Sequence, residues 1–255
     1  MIFQINEIIS AVHGFILPFT RIAALFSVAP IVSSPFIPLR IKVAIAAVIT
    51  IFMLPYINQS QAVELFSSNG FIQVSVQILI GLLMGFVLRL VFSALTIAGE
   101  NIAVTMGLGF AQITDPVNGV TVPIVSQFLS ITATLLFLAL DGHLALINLV
   151  FDSFSYIPVG STFGYQTALW DVVSWASNMF VGALMVAIPA ITALLIANSA
   201  LALMTRAAPQ LNVFSVGFPI TILLGLTVIA LTLPSVAIVF QNLLNAAFEK
   251  MPFVK

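Results

Sequence analysis

Cysteine is absent from this chain of 255 residues, which excludes disulfides, thiolate metal sites and a cysteine nucleophile. Charge is nearly as scarce. Only 6% of the residues are charged, against roughly 25% in soluble domains, and the net charge is −1. Such a balance carries no basic patch for nucleic acid and no field for an acidic substrate. Histidine occurs twice, at His13 and His143, and no H-E-x-x-H or related ligand spacing is present, so no metal site is expected. G-x-S-x-G, the P-loop and the dinucleotide fingerprint are missing too, which argues against an enzyme and against any cofactor. The first ten residues, MIFQINEIIS, lack the basic n-region of a cleaved signal peptide, so the first apolar segment is expected to stay in the protein.

What fills the chain is apolar. Hydrophobic residues make up 61% of it and the mean hydropathy is +1.23, the composition of an integral membrane protein or of a subunit buried in a very apolar assembly. Uncharged runs of 21, 24 and 25 residues follow Lys42, Glu64 and Asp115. A spanning helix needs about 20 apolar residues, so each of these fits one helix. Runs of 34 and 42 residues follow Asp171 and Arg206, long enough for a bent helix or a helical hairpin. With the segment from about Ile8 to Ala29, at least six hydrophobic helical units are expected, in an all-α fold of kinked helical hairpins. Arg40 and Lys42 mark the first connection as cytoplasmic.

Turn signals separate these units at Pro30, Pro35 and Pro38, at Asn69-Gly70 and from Pro158 to Gly164. Pro189, Pro219 and Pro234 sit inside apolar runs, where each removes a helix hydrogen bond. No linker or charge run divides the chain, so residues 1–255 read as a single membrane domain. Gly81-Leu-Leu-Met-Gly85 is a GxxxG, which lets helix backbones approach closely in lipid.

The exception to this apolar monotony is Gly99 to Pro123, GENIAVTMGLGFAQITDPVNGVTVP. Gly107 and Gly109 flank Leu108 and precede Phe110, a pattern that combines a flexible backbone with bulky apolar tips. Irregular backbone at membrane depth is tolerated only where protein buries it or where it lines a cavity. The stretch therefore reads as a loop or re-entrant element at a passage, breaking a hydrophobic hairpin. Met106, Gly107, Leu108, Gly109, Phe110 and Ala111 are its candidate pore-lining residues.

Charges in apolar context are Arg21, Arg89, Glu100, Asp115, Asp141 and Arg206. Residues of this kind face a bundle interior, a cavity or a partner, for packing or for ion movement. Arg89 and Glu100, eleven residues apart, would share a helix face about 16 Å from each other, too far to pair. Asp141-Gly142-His143 reads as a polar turn with Gly142 supplying the bend; a proton relay is the other reading.

Taken in order, these pieces resemble the R-type export-gate subunits of the bacterial flagellar type III secretion apparatus, the FliR family. The resemblance runs through Arg21, Ala29-Pro30, Pro38 and Arg40-Ile-Lys42, then GENIAVTMGLGFA from Gly99 to Ala111, Asp115-Pro116 and Pro123. It continues through LLFLALDGHLALI (135–147), DSFSYIPVG (152–160) and RAAPQLNVFSVGFPI (206–220). It implies a non-enzymatic pore subunit that joins P-type and Q-type subunits and an FlhB-like switch protein to export unfolded substrates. It places the protein in the inner membrane and flagellar basal body, with parts above the bilayer on the periplasmic side. It also assigns Met106 to roughly Val122 to a plug in the channel. Asp141 departs from the asparagine expected in some relatives. The injectisome T-type subunit is the alternative within the family, and a secondary transporter with a midplane site is the alternative outside it.

Overall fold

The structure, a computed structural model, describes residues 5–57, 67–109, 112–114, 121–161, 164–207 and 213–251. These form α1 (Ile5–Val28), α2 (Leu39–Met53) with a 3₁₀ turn at Leu54–Tyr56, and the long α3 (Ser68–Thr105). A two-stranded ladder follows, β1 (Gln112–Thr114) and β2 (Thr121–Pro123). The remainder is α4 (Ile124–Ala139), α5 (Gly142–Tyr156), α6 (Tyr165–Trp175), α7 (Ser177–Ala207) and α8 (Val213–Lys250). The fold is all-α apart from that ladder of three residue pairs.

Among the described residues four helices are long and apolar enough to cross a membrane, and the α4–α5 pair, bent by 66°, would make a fifth. Their lengths exceed a simple span. At 38 residues each, α3 and α8 run about 57 Å, against a hydrocarbon core of about 30 Å. The 42-residue run is thus not a hairpin: α8 continues through both Pro219 and Pro234. The 34-residue run lies in α6 and α7, which meet at Ala176, and Pro189 stays inside α7. Many large apolar side chains face outward. Phe52, Phe71, Trp170 and Leu231 are each more than 70% exposed, a side-chain set suited to lipid or to other subunits rather than to water.

Two turn readings need correction. Asn69-Gly70 does not separate helices; it lies in the first turn of α3, where the Ser67 hydroxyl accepts the Gly70 N–H at 3.0 Å. A serine just before a helix satisfies one of its free donors, which starts the helix despite the glycine. At the second turn the left-handed residue is Asp141 (φ 53°), and Gly142 is already the first residue of α5. Short polar side chains tolerate that conformation, and asparagine would serve equally.

The chain groups into two compact units, each discontinuous in sequence. One comprises Met1–Arg89, Asp141–Ala176 and Ala246–Lys255; the other, Leu90–Leu140 and Ser177–Asn245.

In the first unit α1 lies against α3 where the glycines allow it. A β-carbon at position 81 would collide with the Arg21 carbonyl, and one at position 85 would stand 2.9 Å from the Leu25 carbonyl. The GxxxG is therefore a true helix contact. Beside it the Arg21 side chain is wholly buried. Its Nε donates to Gln77 Oε1 (2.7 Å), and Nη1 donates to the Ser153 carbonyl (2.9 Å) and hydroxyl (3.0 Å). Nη2 donates to the Ile157 carbonyl (2.9 Å), and the guanidinium stands 4.1 Å over the Phe154 ring. The Ser153 and Ile157 carbonyls lie at the end of α5; the first also accepts the Ile157 N–H (3.0 Å), and the second is beyond the reach of any donor within the helix. The cation both caps them and meets the negative end of the helix dipole.

In the second unit the Phe92 ring meets Phe137 and Phe240 edge-on, each at 5.6 Å between centroids. A β-carbon at position 182 would run into Leu243.

Arg21→Met keeps the bulk and removes four hydrogen bonds, leaving the buried Ile157 carbonyl and the Gln77 amide oxygen without their donor. Each orphaned group costs about 1–3 kcal/mol, so the variant should lose several kcal/mol of unfolding free energy in detergent. Arg21→Lys should recover only a minority of it, because one ammonium cannot span the same fork. A loss under about 0.5 kcal/mol, within the range of neutral surface changes, would contradict this role.

Candidate functional site

The interruption between α3 and α4 is where the sequence departs most from a plain span, and the structure shows how it is built. α3 stops at Thr105, so Gly99 to Thr105 are helical and the break is narrower than Gly99 to Pro123. The stop is a Schellman motif. Leu108 N–H bonds the Ala103 carbonyl (2.8 Å), Gly107 N–H bonds the Val104 carbonyl (3.0 Å), and Gly107 takes the left-handed φ of +82°. Gly107 therefore ends the helix rather than loosening it. Gly109 does not use a glycine's freedom, since its φ lies outside the left-handed range.

Beyond the stop, β1 pairs antiparallel with β2 in the register Gln112 with Pro123, Ile113 with Val122 and Thr114 with Thr121. α4 then starts at Ile124 and returns along α3. Ser126 Oγ donates to the Thr96 carbonyl (3.0 Å), and a β-carbon at position 99 would stand 2.7 Å from the Ser126 nitrogen. Gly99 thus serves close packing of α3 on α4. Phe110, Ala111 and Asp115 lie outside the described residues.

Met106 was read as an apolar tip; the structure seats it instead. It is 1% exposed, and its side chain fills the notch over Gly225 of α8, where a β-carbon would stand 2.5–2.7 Å from its Cε, Cγ and Sδ. Phe218 lies under Gly107, with ring carbons 3.3 Å from where a β-carbon would be. Thr221 Oγ1 sits 3.4 Å from the Met106 carbonyl but donates its single proton best to the Phe218 carbonyl at 2.9 Å. The seat is therefore held by packing more than by hydrogen bonding. Phe218, Thr221 and Gly225, at i, i+3 and i+7, share one face of α8. Leu108 and Gly109 are only half-buried.

The six charges separate clearly. Arg21 is enclosed by its own chain, far in sequence from the break. Arg89 and Glu100 both lie on α3, and with Asp141 and Arg206 they are exposed; none of the four side chains has a partner among the described residues. Arg206 occupies the last turn of α7, where a cation suits the helix dipole. Among the described residues no three His, Asp or Glu side chains converge as metal ligands. The seat on α8 was not anticipated from the residues. Its only signal is a glycine and a threonine one turn apart in an otherwise apolar run.

Gly107→Ala forces a residue with a β-carbon into the left-handed region, at about 1–2 kcal/mol, and presses it against Phe218. A lower unfolding midpoint in detergent is expected, with Gly107→Asn falling between wild type and alanine. An alanine variant as stable as wild type would refute the helix-stop assignment.

Comparison with known proteins agrees with this architecture. The family model for bacterial export proteins, family 1, matches residues 12–247. The flagellar biosynthetic protein FliR of Pectobacterium carotovorum is 38% identical over 95% of this chain and 93% of its own length. FliR of Escherichia coli K12 is 37% identical over 91% of this chain and 88% of its own. FliR of Bacillus subtilis is 27% identical over 96% of both chains. These relatives are named for flagellar biosynthesis, not for a catalysed reaction. With eight helices, a match across nearly its whole length and identities above 30% to full-length FliR proteins, the chain belongs to family 1 of the bacterial export proteins, the family of FliR.

Proposed function

We propose that this chain is a non-enzymatic pore subunit of the flagellar type III export apparatus, and that the segment from Met106 to about Val122 is its plug. The observation that carries this is the Gly107 stop. It ends a 38-residue apolar helix and hands the chain to a strand pair, leaving non-helical backbone within an apolar protein. Such backbone belongs beside a cavity or under protein cover. Leu108 and the glycines around it leave the stop half-buried, in place to meet a passing chain. Met106 serves as the anchor of the plug, and the segment after it as the moving part.

Assembly follows from the outer surfaces. Of the apolar windows in the α6–α7 stretch and in α8, only 33% and 17% are buried by the chain itself. Faces of this kind fit P-type and Q-type subunits, an FlhB-like switch protein and lipid, in the inner membrane at the flagellar basal body. Arg89, Glu100 and Arg206 are the exposed charges available to fix register between subunits, since a charge in apolar surroundings needs a partner. The flagellar names of the relatives favour flagellar cargo over the injectisome alternative.

Two experiments test this reading. Deleting Gly107 to Phe110, or combining Met106→Ala with Phe110→Ala, should leave assembly intact but make resting cells that express the whole gate leaky to ions or small solutes. Assembled variants no leakier than wild type would sink the plug. Arg206→Ala should reduce co-purification with the P-type and Q-type subunits, and unchanged recovery would remove Arg206 from the interface.

A further inference from the structure

The seat on α8 does more than stabilise the end of α3. We propose that it is a lock: the plug opens only when Met106 leaves the Gly225 notch, so Phe218, Thr221 and Gly225 position the plug. This inference rests on the plug reading above.

Three features of the seat suit a lock. First, the anchor is a thioether held by shape. Methionine is unbranched and adaptable, and its side chain can leave a notch without breaking any hydrogen bond. Second, the single polar contact is divided. Thr221 donates within its own helix at 2.9 Å while the Met106 carbonyl waits at 3.4 Å, so losing the second contact leaves no donor unsatisfied on α8. That makes release cheap on the α8 side. Third, the neighbouring surface is unfilled. One turn further along α8, next to α4, an apolar groove of about 230 Å³ opens on the surface between Ile124, Phe128, Leu226, Ile229 and Leu233, the first three of them exposed.

Geometry also makes the two ends of the lock addressable. Gly107 follows Met106 directly, so the seat and the helix stop are neighbours in the chain. Gly225 is a notch rather than a hinge: as a residue inside α8 its value lies in the missing β-carbon.

Because the chain has no cysteine, the lock can be closed covalently without background. The Met106 Cγ stands 2.7 Å from where a β-carbon at 225 would be, so the two β-carbons can lie no further apart than one more C–C bond, within about 4.5 Å, the upper reach of a disulfide. Met106→Cys with Gly225→Cys, in cells expressing the whole apparatus and treated with a mild thiol oxidant, should crosslink in the resting state. Export of a flagellar substrate should then fall at least tenfold and return on reduction. In each single-cysteine variant, whatever its basal level, export should not respond to the oxidant or to reduction. A crosslink that forms while export continues would overturn the lock, as would failure to crosslink in a variant that exports normally when reduced.

Changes of size give a second reading without oxidant. Gly225→Ala, which fills the notch, and Met106→Ala, which empties it, should each raise resting leak several-fold. Wild-type leak in both variants would contradict a shape-based lock. The plug reading fails separately, if deletion of Gly107 to Phe110 causes no leak. A leaky deletion combined with an ineffective crosslink removes the lock alone.

Discussion

A helix that ends among apolar neighbours must satisfy its own last carbonyls, because no water is on hand to do so, and this chain has few polar side chains to lend. Two of its helix ends meet that constraint in different ways. At the end of α5 the donor is imported: Arg21 crosses from α1, takes the Ser153 and Ile157 carbonyls, and anchors its Nε on Gln77 of α3. At the end of α3 no side chain is needed. Gly107 turns left-handed and the following amides fold back onto Ala103 and Val104. The first solution draws on side chains of three helices, and the second closes with backbone bonds inside its own helix end.

Close approach is the second recurring device. Gly81 and Gly85 receive α1, Gly99 receives the start of α4, and Gly225 receives Met106. Between apolar helices in lipid the solvent gives little driving force, so contact area and backbone proximity must supply the specificity. The Gly225 contact differs from the others in kind. The first three bring backbone against backbone, a fit that cannot open without separating whole helices. Gly225 faces the flexible end of one methionine, a fit that a single side chain can leave.

Much of this was legible in the residues. Composition alone demanded apolar helices, and the glycine-flanked Leu108 marked the break before any coordinates. Those signals were strong because they are local: a run without charge has few alternatives, and Gly-Leu-Gly in such a run is conspicuous. What the sequence left open was long-range. Gly107 read as flexible because its partners in the Schellman motif are ordinary alanine and valine residues. Asn69-Gly70 looked like a turn because the serine that caps α3, Ser67, sits two residues before the dipeptide. The roles of Gln77, Ser153 and Gly225 depend on residues tens to more than a hundred positions away, and no spacing rule encodes such a distance. The 42-residue run was open to a bend or a hairpin because Pro219 and Pro234 signal a lost hydrogen bond, not what the rest of the helix does about it.

The account turns on one side chain having two states, seated on Gly225 when the gate rests and withdrawn when it conducts. A lone cysteine at position 106, in a chain that otherwise has none, reports on that directly through its reaction with a membrane-impermeant maleimide. The account predicts slow labelling in cells whose apparatus is assembled but idle, and labelling at least several-fold faster while substrate is being exported. Equal labelling rates in the two conditions would mean that Met106 does not move with the gate, and would contradict the account at its centre.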